Sequence, residues 1–171
     1  MIFSCKHKKN DVTPALDIIK SQVAHVDSTV DPIYKLIPAT DSTFDTTFID
    51  RKEFNELSKE FTESPDIFRN YGGKYKEDRL YNEELGQAVF TATPLNNNME
   101  LTRQEVRIKP GPPDKITSIY LEKFKNRGDS TVIKRLTWYI DRKFQVVTIV
   151  EKDGKEDKIS VVEVSWNDHE F

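Results

Sequence analysis

The chain of 171 residues has one cysteine, three histidines and six glycines, and no long apolar run. A single thiol, Cys5, excludes an intramolecular disulfide and any metal site built from several cysteines. His7, His25 and His169 stand far apart, and no two of them have the spacing of zinc ligands. No stretch approaches the roughly 18 apolar residues of a membrane-spanning helix. A Gly-x-Ser-x-Gly elbow, a glycine-rich phosphate loop and a His-Glu-x-x-His helix are also absent, and Gly72-Gly73-Lys74 lacks the spacing of a phosphate loop. The adjacent carboxylates Glu77-Asp78 and Glu83-Glu84 read as solvated charges beside a hairpin, because nothing around them suggests burial that would shift a pKa. The chain is therefore read as a non-enzyme, with no catalytic residue, no metal and no cofactor.

What is present is charge and β-forming sequence. Charged residues make up 32 % of the chain, and the net charge of −3 gives no overall attraction to nucleic acid or anionic lipid. The charge is unevenly spread. Residues 41–100 hold 13 acidic and 7 basic side chains, whereas residues 101–143 hold 11 basic and 5 acidic. An acidic first half docking on a basic sheet is the expected arrangement, and a basic strip for an acidic partner is the alternative.

The strongest pattern runs from Lys115 to Trp166. Four runs rich in Val, Ile, Thr and aromatics are separated by Arg127-Gly128-Asp129-Ser130, Arg142-Lys143 and Asp153-Gly154, as in a β-meander. Further strands are expected over 74–81, 87–93 and 99–109, and Ile33 to Ile37 reads as a short strand. Two helices precede them. Thr13 is the expected N-cap of the first, with Leu16, Ile19, Val23 and Val26 on one face. Asp50 caps the second, Glu53 follows three residues later, and Ile49 and Phe54 occupy the staple positions. Its stripe of Phe54, Leu57 and Phe61 is a core face, and Ser64-Pro65 ends it.

The expected fold is α+β: two N-terminal helices packed on a curved antiparallel β-meander sheet of about six or seven strands. Residues 1–12 are read as a disordered tether and 13–171 as a single α+β domain. Trp138 shares a face with Leu136 and Ile140 and is expected under the helices. Both faces of the sheet carry apolar residues, so one face is left open if the helices cover the other. Tyr120, Phe124, Arg135 and Tyr139 are the candidate binding residues. Basic and aromatic residues alternate here, as they do in single-strand nucleic-acid binders. No RNA-binding motif accompanies them, and a nucleic-acid partner is not expected.

Met1-Ile2-Phe3-Ser4-Cys5 resembles the end of a bacterial lipoprotein signal, with Cys5 as the lipidated residue and Lys6 to Asn10 as the polar tether. Phe3 departs from that pattern, which has a small residue there. Further motifs are Thr47-Phe48-Ile49-Asp50-Arg51-Lys52-Glu53-Phe54, Ala88-Val89-Phe90-Thr91-Ala92-Thr93-Pro94, Arg103-Gln104-Glu105-Val106 and Phe144-Gln145-Val146-Val147-Thr148-Ile149. With the tether, these make the chain resemble uncharacterised small lipoproteins of Bacteroidota-type bacteria. That resemblance implies a cell-envelope location, anchored through lipid and facing the periplasm, and says nothing of mechanism. The alternative is a cytoplasmic protein with a free thiol on its tail. The expected role is a binding or assembly module with an envelope protein as partner. A carrier holding a lipid or acyl chain in a concave sheet is the other reading.

Overall fold

The computed structural model describes residues 12–39 and 43–167. They form helices α1 (Ala15–Ser28) and α2 (Arg51–Thr62) and strands β1 (Ile33–Pro38), β2 (Phe44–Ile49), β3 (Tyr75–Asn82), β4 (Gln87–Pro94), β5 (Leu101–Lys109), β6 (Lys115–Asn126), β7 (Ser130–Tyr139), β8 (Lys143–Lys152) and β9 (Lys158–Ser165). All nine strands belong to one open antiparallel sheet in the order β2-β1-β9-β8-β7-β6-β5-β4-β3. The last seven strands are a continuous meander, and the β1–β2 hairpin returns to pair with β9.

Nine strands replace the expected six or seven. The strand with no sequence-based counterpart is β2, whose first five residues are exposed. It buries no apolar face that periodicity could reveal, and its place is fixed by pairing with β1. The second strand of the Lys115–Trp166 run also ends early, at Tyr139, because Asp141 takes a left-handed conformation (φ 59°) in the turn.

Both helices pack on one sheet face. The Asp50 side chain accepts the Glu53 backbone N–H at 2.8 Å and caps α2, while Ile49 and Phe54 are buried beside it. Glu53 does not complete a reciprocal box; its carboxylate pairs with Lys35 on β1. At α1 the expected Thr13 cap is corrected. Pro14 occupies the cap position and gives no side-chain bond. Thr13 is held through its backbone instead, donating to Glu77 Oε2 at 2.7 Å and accepting from Gln104 Nε2 at 3.1 Å. Val12, at the end of the expected tether, is buried in the core.

Aromatic rings fill the space between helices and sheet. Phe54 and Phe61 of α2 meet Trp138, Phe144 and Trp166, with ring centroids 5.0 to 6.2 Å apart. Ile19 and Val26 of α1, together with Ile33 and Ile49, extend the layer. Trp138 lies under the helices as expected. Two β-bulges, at Thr102 and Thr117, interrupt the β5–β6 ladder.

Candidate functional site

Alternation along each strand sends every second residue to the face without helices. Register then decides which of these become neighbours. On the open face Ile159, Ile149, Ile133 and Phe124 are successive cross-strand partners from β9 to β6. Val161 and Val147 adjoin them as the next pair. The result is an apolar row four strands wide. Ile159 is 62 % exposed and Phe124 42 % exposed, so nothing among the described residues covers its ends. A second apolar spot lies at the β1–β2 end, where Tyr34 and Phe48 meet edge to face at 6.3 Å.

Charged groups border the row. Val147 pairs with Arg135, Arg135 with Glu122, and Glu122 with Arg103. Arg135 Nε lies 3.3 Å from Glu122 Oε2, to which the Tyr120 hydroxyl also donates at 3.1 Å. Burial and the Glu122 carboxylate push the Tyr120 phenol up to about 12. Glu105 is buried between Arg103 and Arg107, with Arg107 Nη2 at 3.4 Å. Lys143 pairs with Glu163 at 3.2 Å and sits over the Tyr139 ring. Paired charges therefore lie along one side of the apolar row.

All four candidate binding residues fall on this face. Tyr120 and Phe124 lie on β6, and Arg135 and Tyr139 on β7. The structure does not gather them at one point. Phe124 belongs to the apolar row, Arg135 and Tyr120 to the cluster around Glu122, and Tyr139 to the far end beside Ser118 and Lys143. Sequence reasoning did not single out Ile133, Ile149 or Ile159. Their adjacency depends on register across two turns.

A second polar place lies on the helix side, past the end of α2. Glu60, Glu100, Lys123, Lys125, Arg127, Val132 and Lys134 line a cleft of about 140 Å³. Lys123 Nζ donates to the Glu60 carbonyl at 2.6 Å, and the Glu60 carboxylate pairs with Lys134. Burial alone would raise the Glu60 carboxyl, but the two ammonium groups outweigh it and hold it below the ordinary value. Burial is the main cause that lowers Lys123. This is where the acidic and basic segments of the chain do meet. The other ion pairs named above join residues within one segment or join one segment to a residue outside both.

His25 is exposed on α1, whereas Cys5, His7 and His169 lie outside the described residues. Among the described residues no three His, Cys, Asp or Glu are close enough to hold a metal ion, and no helix is long and apolar enough to cross a membrane. Compared with protein-family models, curated proteins and solved structures, the chain matches none.

Proposed function

We propose that this chain is a non-enzymatic binding module that holds a protein partner on the open face of its sheet. The observation that carries this reading is the Ile159–Ile149–Ile133–Phe124 row, apolar, exposed at both ends and bordered by ion pairs. Exposed apolar patches with polar rims mark association surfaces on soluble domains. A carrier would hold its apolar ligand in a concave, enclosed face of the sheet, and the enclosed volume is that beneath the helices. That volume is occupied by Phe54, Phe61, Trp138, Phe144 and Trp166, so the geometry favours the partner-binding reading. The same proposal places the module in the cell envelope, tethered by a lipid on Cys5. More than one acyl chain would make that anchoring firm. Fractionation of wild type against Cys5→Ser tests the address: wild type in the soluble fraction with a free thiol refutes it.

The binding role is tested by native mass spectrometry of protein purified from its own host. Wild type is expected to carry a second polypeptide that the double variant Ile159→Lys, Phe124→Lys loses without a change in melting temperature. A lipid-sized adduct in place of a polypeptide would favour the carrier.

A further inference from the structure

The two edges of the sheet are built differently. On β3 the register with β4, continued by the Leu95 N–H bond to the Lys74 carbonyl, turns the backbone groups of Tyr75, Glu77, Arg79 and Tyr81 outward. That edge is guarded. It reads Lys76-Glu77-Asp78-Arg79, and the Glu77 side chain is almost fully buried where it accepts the Thr13 N–H. Charged side chains and a covering segment are how sheets keep an edge from pairing.

The β2 edge has neither device among the described residues. The β1–β2 register, continued by the Ala39 N–H bond to the Thr43 carbonyl at 2.9 Å, sends the backbone groups of Asp45 and Thr47 to β1. Those of Phe44, Thr46 and Phe48 therefore point away from the sheet. The strand carries one charge, Asp45, and exposes Phe44 by 54 % and Phe48 by 64 %. An unguarded edge with exposed aromatic side chains is a template for another strand.

We propose that β2 is the interface strand of a symmetric homodimer, in which two copies pair antiparallel about Thr46 and join their sheets into one. The strand is complementary to itself. With the two-fold axis at Thr46, Thr46 faces its own copy, Phe44 faces Phe48 of the second copy, and Asp45 faces Thr47. Aromatic and Thr–Thr cross-strand pairs are favourable, and no two like charges meet. The register also makes Thr46, Phe44 and Phe48 the hydrogen-bonded pairs, so each outward N–H finds a carbonyl and each carbonyl an N–H. A one-residue slip would turn the free groups away from one another. A different protein's strand would meet the hydrogen-bond requirement but not this symmetry, which is why the occupant is a second copy. A contact of one short strand belongs to the weak class of interfaces, below about 1,200 Å², so a dimer that dissociates on dilution is expected. The proposal does not depend on the partner-binding reading of the open face.

Sedimentation velocity over a concentration series tests it, with Thr46→Pro and Phe48→Lys as variants. Proline at an outward-facing N–H is tolerated on an edge strand but removes the central donor. Wild type should shift from monomer to dimer as concentration rises. Both variants should weaken the dimer at least tenfold with β1–β2 otherwise intact. In a Cys5→Ser background, Thr46→Cys should oxidise to a disulfide-linked dimer, since hydrogen-bonded partners lie about 5.5 Å apart between Cα atoms. Leu80→Cys on the β3 edge should not. Wild type that stays monomeric throughout the series, a dimer unaffected by both variants, or equal cross-linking from Leu80→Cys would each overturn the proposal. If Thr46→Pro fails to fold, Phe48→Lys and the cysteine pair still decide.

Discussion

Trp138 lies stacked on Phe144, ring centroids 5.0 Å apart and planes 25° from parallel, with the Phe61 ring edge-on at 5.1 Å. Among the described residues its indole N–H has no hydrogen-bond partner, and neither does that of Trp166. Among those residues the ring is held by packing. Trp138→Ala should cost about 3–5 kcal/mol in a denaturant titration. Trp138→Phe gives up a donor that is already unpaired and should cost less than half as much. Equal losses for the two variants would mean that the N–H has a partner after all.

Asp50 holds the start of α2 through one bond to the Glu53 N–H. Asp50→Ala should destabilise by roughly 0.5–2 kcal/mol, whereas Asp50→Asn or Asp50→Ser should restore most of the loss. Thermal melts of the three variants check this. An unchanged melting temperature for Asp50→Ala would show that the cap contributes nothing.

Glu60 is the counter-charge to Lys123, which is mostly buried, and to Lys134. Glu60→Gln leaves both ammonium groups short of a partner and should cost about 1–3 kcal/mol at neutral pH. Because Glu60 is itself more than a third exposed, water screens part of the interaction and favours the lower end. Its carboxyl is held below the ordinary value in the fold. The contribution is thus complete above the unfolded pKa and lost as pH falls through the folded one. Stability of Glu60→Gln should fall less steeply on acidification than that of wild type.

At the alkaline end, burial is the first cause that raises the phenols of Tyr75 and Tyr120 to about 12. A raised pKa contributes stability that is whole below the ordinary value of 10.0 and lost as pH rises through about 12. Denaturant titrations at pH 9 and pH 11 should show a loss at the higher pH that is smaller in Tyr75→Phe. That variant should also lose about 1 kcal/mol at neutral pH, because the Tyr75 hydroxyl donates to the Leu101 carbonyl at 2.7 Å.

What could be read from the residues was local or periodic. Asp50, Ile49 and Phe54 form a cap and staple within six residues, so α2 was legible almost to its ends. The β3–β4 hairpin and the four strands after Lys115 announced themselves through alternation and turn residues. The failures are cases where distant groups decide. Thr13 is held by Glu77 and Gln104, 64 and 91 residues away, so its own side chain was misleading. β2 buries almost nothing and exists because β1 pairs with it. The candidate surface was half legible for the same reason. Alternation sorts the residues within one strand into two sets, but the meeting of Ile133, Ile149 and Ile159 in one row depends on register across the turns.

The central claim is that the open sheet face is where a protein partner binds. The most direct test places a photo-crosslinking residue at Ile149, in the middle of the apolar row, and at Lys20, exposed on α1, in protein expressed in its own host. Irradiation should attach a discrete polypeptide at Ile149 and little or nothing at Lys20, and the Ile149 adduct should vanish when Ile159→Lys and Phe124→Lys are added. Adducts of equal yield at both positions, or none at Ile149 while Lys20 captures a partner, would contradict the account and move the binding surface to the helical side.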